Sequence, residues 1–546
     1  MDRDDLSAAI IQEMGAVFMA ALSTALPTVC GLDLGSMEQC LRQMLRPVMG
    51  QVVERIVALE AALGAQERRA CPACGGPMRR VDAARPRALC GLVGDYTLRR
   101  AYDCCTQCGH GHAPLDERLG LGPGALSPGL ARVVCREGLE GAFADAVERV
   151  AEAVGVQVSA EVARQTTERV GAVAEAQVQA AIARAQQGQV PWAAADRVDV
   201  PTSGVLAVEV DGLYVHRDEG WHEMKAVTVA PLGPPCDVDA ETGRLRLRWG
   251  TASYGAGFEE AEDFWYRAYV EACRRGLGTA AVRTVVLLGD AAEWIWRHGR
   301  AFLALPGVEL VEIIDLYHAY EYLWAVGNAV FGAETPAAAA WVEPLKTRLY
   351  AEGPAPVQAA VAALAHTLGI TETETETEME QAPAAGTAES AAVTAVRRAS
   401  AYLRTNAARL DYPAFVARQW PIGSGAVESA GKNVIQARTK GAGMRWSGAG
   451  AQAVVSLRTL HRSGRWDAFW QAQPQRARLR LFPHARPTRT TPPPVPMAVC
   501  PTPDPTPLPP GEPAAGPPAS SMPRPASRPR PTRHQRPLLL PRSLSA

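Results

Sequence analysis

The chain has 546 residues, is 47% hydrophobic and carries 56 Lys and Arg against 57 Asp and Glu. That length allows about two to four domains with real cores; the balanced charge argues neither for nor against nucleic acid. No apolar run reaches the roughly 18 residues of a membrane span, and the start, Met1-Asp2-Arg3-Asp4-Asp5, lacks the basic and apolar regions of a signal peptide. A cytoplasmic protein without a membrane partner is therefore expected. Its 12 cysteines are then reduced and need a reading other than disulfides.

Charge is unevenly spread. The N-terminal stretch and a Thr-Glu run near 371–378 are acidic, and the chain beyond about Lys432 is basic. Residues 1–67 form a first region, helical by the recurrence of Ile10, Ile11, Met14, Val17 and Phe18 at helical spacing.

A cysteine module follows at 68–120. Cys71-Pro72-Ala73-Cys74-Gly75 and Cys105-Thr106-Gln107-Cys108-Gly109 are two knuckles suited to a tetrahedral, structural Zn2+ site, a zinc-ribbon-like arrangement. The gap between the pairs has room for a hairpin of strands 88–93 and 96–102, with Gly94-Asp95 at its turn. Cys104 beside Cys105 leaves the register open, His110 or His112 offers a substitute ligand, and reduced, unligated cysteine is the plainer reading.

Residues 121–190 read as helical. Segments 138–154 and 159–171 resemble a helix-turn-helix, with Ser159 as N-cap and Arg164, Gln165, Thr167 and Arg169 able to reach DNA. Many helical hairpins of this kind never meet DNA.

From 200 to 470 the pattern becomes α/β. Apolar strands are expected at 205–210, 224–230, 282–288 and 308–314, with an exposed edge strand at 244–249. Helices are expected at 259–275, 291–304, 316–331 and 425–437. This order argues for a mixed sheet flanked by helices. Residues 336–410 look helical, broken by a loop at 371–390, and the Pro/Arg-rich tail at 483–546 is expected to be disordered.

Asp211 and Asp290 each follow an apolar strand, where α/β folds place chemistry. Glu428 starts a helix. Three carboxylates meeting there would repel one another unless divalent metal offsets the charge, and Mg2+ or Mn2+ favours such oxygen ligands. Taken singly, each has a plainer role: Asp290 as a helix cap, Glu428 as a charge suited to a helix dipole.

The words around these residues carry a resemblance. Val208-Glu209-Val210-Asp211-Gly212, Trp221-His222-Glu223-Met224-Lys225, the run from Leu288 to Trp296, Asp315-Leu316-Tyr317-His318, the run from Trp420 to Ser429 and the run from Lys440 to Trp446 resemble the DDE transposases of bacterial insertion sequences, the ISKra-type family, with Mutator-like relatives. The resemblance covers about 68–465. It implies a multidomain α/β protein with a ribonuclease-H-like catalytic domain. Asp211 and Asp290 would be metal ligands, Glu428 the third acid, and 336–410 a helical insertion before the helix that bears it. Asp315 and His318 resemble the supporting Asp-x-x-His element of related families, though a helix cap and a packed histidine explain them equally well.

The function expected is metal-dependent phosphodiester hydrolysis and strand transfer at terminal inverted repeats, using two Mg2+ or Mn2+ ions and a structural Zn2+. The partners expected are terminal and target DNA and further copies of the chain, on the bacterial nucleoid. Arg164, Gln165, Arg169, Lys225, Lys432, Arg438, Lys440 and Arg445 are the DNA-contacting candidates, joined by Arg458 and Arg462 in a basic track after Glu428. A decayed transposase that only binds DNA is the alternative, and a nuclease without joining activity a third.

Overall fold

The computed structural model describes residues 3–63, 70–198, 200–233, 237–238, 245–246, 250–370 and 390–472. All lie in the first of two compact units, residues 1–485. The tail at 483–546 and the Thr-Glu loop at 371–389 lie outside the described residues.

The N-terminal region is a pair of long helices, α1 (Arg3–Val29) and α2 (Leu34–Leu63). The cysteine module is built on a long antiparallel hairpin, β1 (Met78–Cys90) and β2 (Asp95–Cys105), with a short third strand, β3 (Gly111–His112). The hairpin expected inside the cysteine gap is present, and its strands reach back to the second cysteine pair. After the short helix α3 (Pro114–Arg118) come three helices: α4 (Pro128–Gly138), α5 (Phe143–Val154) and α6 (Ala160–Gln186). Ser159 caps α6 by accepting from the backbone of Val162, and Gly155 turns the chain at φ 69°. The helix expected from 138 begins instead at Phe143.

The apolar run at 205–210 continues through Asp211 as one strand, β4 (Val205–Arg217), and returns as β5 (Gly220–Pro231). The third strand of the sheet is β8 (Ser253–Gly257). It is not the Leu/Arg segment, part of which pairs as β7 (Leu245–Arg246) with β6 (Asp237–Val238) in a separate ribbon. Ser253-Tyr254-Gly255-Ala256-Gly257 lacks the branched apolar pattern that marks a strand. Its glycine at 255 is needed because a Cβ there would press on Val227.

Helix α7 (Ala261–Arg274), β9 (Thr284–Gly289), α8 (Glu293–Leu303), β10 (Glu309–Ile314) and α9 (Leu316–Phe331) follow. The five strands run in the order β10-β9-β4-β5-β8. β4, β9 and β10 are parallel, and β4-β5-β8 are antiparallel. Leu206, Val208, Val210, Val286 and Leu288 are buried among Phe264, Trp265, Ile295 and Leu323 of the flanking helices. Burial on both faces explains why these strands read as continuous apolar runs.

Between α9 and the segment bearing Glu428 lie α10 (Pro336–Glu352), α11 (Pro354–Thr367), α12 (Ala391–Thr405) and α13 (Tyr412–Ala417). Then α14 (Gly425–Ala430) runs through a π-helical stretch, Gly431–Gln436, before the last described long helix, α15 (Gly448–Arg462). π-helical turns recur at functional sites because the wider ladder re-aims side chains.

Candidate functional site

The parallel register sets the site. Glu209 of β4 pairs with Leu288 of β9, and Ile314 of β10 pairs with Gly289. Carrying each ladder one or two residues onward brings Asp211, Asp290 and Asp315 to one level on three adjacent strands. Asp211 therefore stands in mid-strand, not at a strand end. What ends there is its parallel neighbour, and the sheet opens because β4 outruns β9.

Glu428 arrives from far along the chain, and three links in sequence place it. The backbone of Leu316 donates to Ile422 O at 2.9 Å. Ser424 donates to Asp315 through its backbone at 2.5 Å and its hydroxyl at 2.9 Å. The backbone of Val427 donates to Glu209 at 2.8 Å. Asp315 also caps α9 by accepting from His318 N at 2.8 Å. It is thus a buried tether and cap with both oxygens engaged.

The electrostatics record the crowding. Burial pushes the Asp211 carboxyl up to about 6, the Gly212 amide pulls against that, and Asp290, Glu428 and Asp315 add repulsion. Glu209 is fully buried, and burial lifts its carboxyl to about 8 against the pull of the Val427 and Ala426 amides. Asp290 accepts from Ala292 N at 2.8 Å, as a turn-forming aspartate does, and keeps an oxygen for other partners. Glu428 is half-exposed and lies 3.2 Å from Lys432 Nζ. The donors are all oxygen and mutually repulsive, which suits a hard divalent cation. They do not close on one point, however. Among the described residues, the group whose ligand atoms draw within 4.8 Å of one another is the four cysteines.

Glu209 was not singled out from the sequence, although a carboxylate inside an otherwise apolar run is itself a signal. Tyr402 of the helical insertion was also missed. It is buried, stacks on Tyr322 with ring centroids 3.7 Å apart, and is pushed up by burial and then by Tyr322, Asp315 and Asp290 among others. His318 packs edge-on against both tyrosines and reaches Glu321 at 3.3 Å. The histidine and the insertion thus form one wall of the site.

Cys71, Cys74, Cys105 and Cys108 form a group that could hold a metal ion. Sulfur atoms of Cys71 and Cys108 lie 3.6 Å apart, and those of Cys74 and Cys105 3.5 Å apart. The backbones of Ala73 and Gln107 donate to Cys71 and Cys105 sulfur, each at 3.4 Å, and Gly75 and Gly109 take positive φ to complete the turns. Backbone amides of Cys108 and Gln107 bring the Cys105 thiol down to about 6, against some desolvation. These four thiols fit Zn2+. Cys105 is the member of the set; Cys104 turns toward Gly109 O instead.

The proposed DNA-contacting residues divide. Lys432, Lys440 and Arg445 are exposed, and Lys440 lies 5.5 Å over the exposed Trp221 ring. Arg164 is held by Glu161 and Glu168, and Gln165 donates to Glu161. Arg169 is half-buried and Thr167 buried. Lys225 is only 8% exposed and bonds Glu223 at 3.1 Å. Arg462 pairs with Glu140.

Arg438 corrects the expectation of an open basic track. It is 1% exposed, donates to Gly138 O at 2.8 Å, and lies between the rings of Phe143 and Trp446 at 4.5 and 4.7 Å. Arg458 is buried as well, donating to Val434 O at 2.5 Å. Backbone carbonyls engage both guanidiniums, with aromatic faces beside Arg438 and Glu140 3.3 Å from Arg458.

The family model that matches the chain, over residues 31–328, is that of an uncharacterised protein family, UPF0236. No curated protein matches the chain.

Proposed function

The chain belongs to the uncharacterised protein family UPF0236, and from that premise we propose that it is a DNA transposase using metal-dependent phosphodiester chemistry. The observation that carries this reading is that Asp290 and Glu428 lie near enough to Asp211, at the open end of a mixed sheet, to repel its carboxylate. The strand order, an antiparallel meander joined to two parallel strands, supports a ribonuclease-H-like fold.

Asp211, Asp290 and Glu428 would hold Mg2+ or Mn2+. Bound there, the ions supply an activated water or 3′-hydroxyl and charge stabilisation for the leaving oxygen. The chain's own residues do the positioning. The Gly212 amide donates to Asp211 at 2.7 Å and orients it. Asp315 and Glu209 anchor the start of α14 and so hold Glu428 near Asp211. Hydrolysis breaks one P–O bond at each element end and frees a 3′-hydroxyl. Strand transfer attacks target DNA with that hydroxyl and breaks one P–O bond for each one made. Lys432, Lys440 and Arg445 supply phosphate contacts beside the site. Zinc at the four cysteines is structural, since four thiolates leave no open position.

The test is Mn2+-dependent cleavage of a supercoiled plasmid carrying the element's own flanking DNA. Cleavage by wild type and its loss in Asp290→Ala is the expected result. Equal cleavage by both sinks the reading. Binding without cleavage moves it to a decayed protein that only binds DNA.

A further inference from the structure

A cavity of about 210 Å3 lies between α6, α7, β8, α15 and the chain that follows α15. It exceeds the roughly 150 Å3 that houses a benzene-sized ligand. Val178, Leu460 and Phe469 give its wall apolar surface. Gln177, Glu271, Arg274 and Arg465 give it polar groups, and none of them belongs to the acid site. Each of these four keeps a buried side-chain atom that makes no hydrogen bond among the described residues: Gln177 Nε2, Glu271 Oε2, Arg274 Nε and Arg465 Nε. A buried polar atom is ordinarily bonded. Three donors and one acceptor around a single cavity point to a ligand with several oxygen acceptors and one donor.

The charge of the wall is one-sided as well. Arg267 is met by Glu175 and Glu259. Arg274 and Arg465 share one carboxylate, Glu271, which is 1% exposed and lies 3.5 Å from the first and 3.3 Å from the second. Exposed Asp196 adds an opposing charge near Arg274, and Arg275 adds a like one. Arg274 is itself 8% exposed and lies 3.5 Å over the Trp192 ring, a contact with the ring face that does not occupy Nε–H. Burial and then Arg465 pull Arg274 down to about 9, as befits a guanidinium short of anions. A basic last turn suits the C-terminal dipole of α7, but that accounts for the charge of Arg274 and not for its burial.

We propose that this cavity binds a small organic phosphate, whose phosphate oxygens accept from Gln177, Arg274 and Arg465 while a hydroxyl of the same molecule donates to Glu271. Guanidinium groups pair with phosphate through charge-assisted hydrogen bonds, so two of them beside one carboxylate favour an anion over a cation. The apolar wall at Val178, Leu460 and Phe469 suits a short carbon body rather than the bare ion. Bound there, the molecule bridges α6, α7 and the chain after α15, and so stabilises the fold by mass action. The site shares no residue with the proposed strand chemistry and stands or falls separately from it.

The experiment is titration calorimetry with thermal melting of the full zinc-loaded chain, without DNA, in buffer free of phosphate and sulfate. The probes are glycerol 3-phosphate, glycerate and glycerol at up to millimolar concentration. Glycerol 3-phosphate is expected to bind at one per chain and raise the melting temperature, and glycerol to do neither. Arg465→Gln and Gln177→Leu should each weaken that binding by about tenfold or more, because each removes a hydrogen bond to a charged group. If Arg465→Gln loses its melting transition, Gln177→Leu alone is read, since Gln177 is only partly buried and carries no charge. Lys440→Ala/Arg445→Ala should bind as wild type does. A wild type that binds no glycerol 3-phosphate, or cavity variants that bind it unchanged, overturns the proposal. Binding lost in Lys440→Ala/Arg445→Ala overturns it in favour of the basic surface. Glycerate bound more tightly than glycerol 3-phosphate overturns it in favour of a carboxylate.

Discussion

Glu209 on β4 accepts a hydrogen bond from the backbone of Val427 at 2.8 Å, across 218 positions of sequence. This bond fixes the start of the helix that carries Glu428, one residue further on, and so joins the site's third acid to the strand that carries Asp211. Glu209→Ala strands a buried amide, at a cost of about 1–3 kcal/mol. It should lower the melting temperature and reduce cleavage while leaving DNA binding intact. Glu209→Gln keeps an acceptor and should preserve both. An alanine variant that melts and cleaves like wild type removes the role assigned to this contact.

Divalent metal should stabilise the protein through Asp211. Its carboxyl is raised from 3.8 to about 6, so without metal the folded state holds a proton that the unfolded state has lost. Stability then falls as pH rises from about 4 to about 6. Metal needs the carboxylate, so Mn2+ should raise the melting temperature at neutral pH and progressively less below about 6. At a hundredfold excess over Kd the gain is about 2.7 kcal/mol. Thermal shifts of wild type and Asp211→Asn decide the matter: an equal Mn2+ effect in both counts against this ligand.

Glu175 of α6 bridges to Arg267 of α7 at 2.7 Å and accepts from Ser456 of α15 at 2.6 Å. Burial alone would raise its carboxyl, but Arg267 outweighs burial and holds it at about 2, below the usual 4.5. The sign is that of a depressed acid: the stabilisation is present above about 4.5 and lost as pH falls through about 2. Its size is roughly 3 kcal/mol. Glu175→Gln should be less stable at neutral pH, and the difference should shrink on acidification. Denaturant midpoints at several pH values measure it, and a constant difference contradicts the assignment.

The cysteine group should bind one equivalent of zinc per chain. Chelation, or Cys108→Ser, should open the β1–β2 hairpin to proteolysis, because the four cysteines gather the end of the hairpin opposite its turn, where Met78 pairs with Cys105. Metal content by atomic emission together with limited trypsin digestion is the check. A zinc-free protein with a resistant hairpin means the thiols need no metal.

Arg438 and Lys440 should differ sharply although they are two residues apart. Arg438→Ala empties a buried site between Phe143 and Trp446 and should destabilise the fold by about 2–4 kcal/mol. Lys440→Ala and Arg445→Ala should leave stability alone, weaken DNA binding, and each lower the salt dependence by about one ion. Paired melting and salt-titrated binding curves separate the two classes.

Much of the sheet and several site residues were legible in the sequence, because apolar runs of strand length and short polar words record local constraints. The strands around Asp211, Asp290 and Asp315, the cap at Ser159 and the cysteine knuckles all depend on neighbours within a few residues. β8 was not legible, since a Gly- and Ser-containing strand is defined by what packs on it. The buried state of Arg438 and Arg458 was hidden for a related reason: a basic residue carries no local mark of whether an aromatic face or solvent will meet it.

By itself, the sequence determined most of the buried strands and their flanking helices, that two cysteine pairs bracket a hairpin, and that acidic residues follow apolar runs. Only the tertiary structure decided that β4 outruns β9 beside Asp211, that Glu209 and Asp315 hold the segment that bears Glu428, and which arginines are buried. The physical reason is range. Periodicity and turn chemistry act between neighbours in the chain, whereas register, desolvation and the meeting of like charges are set by residues that only folding brings together.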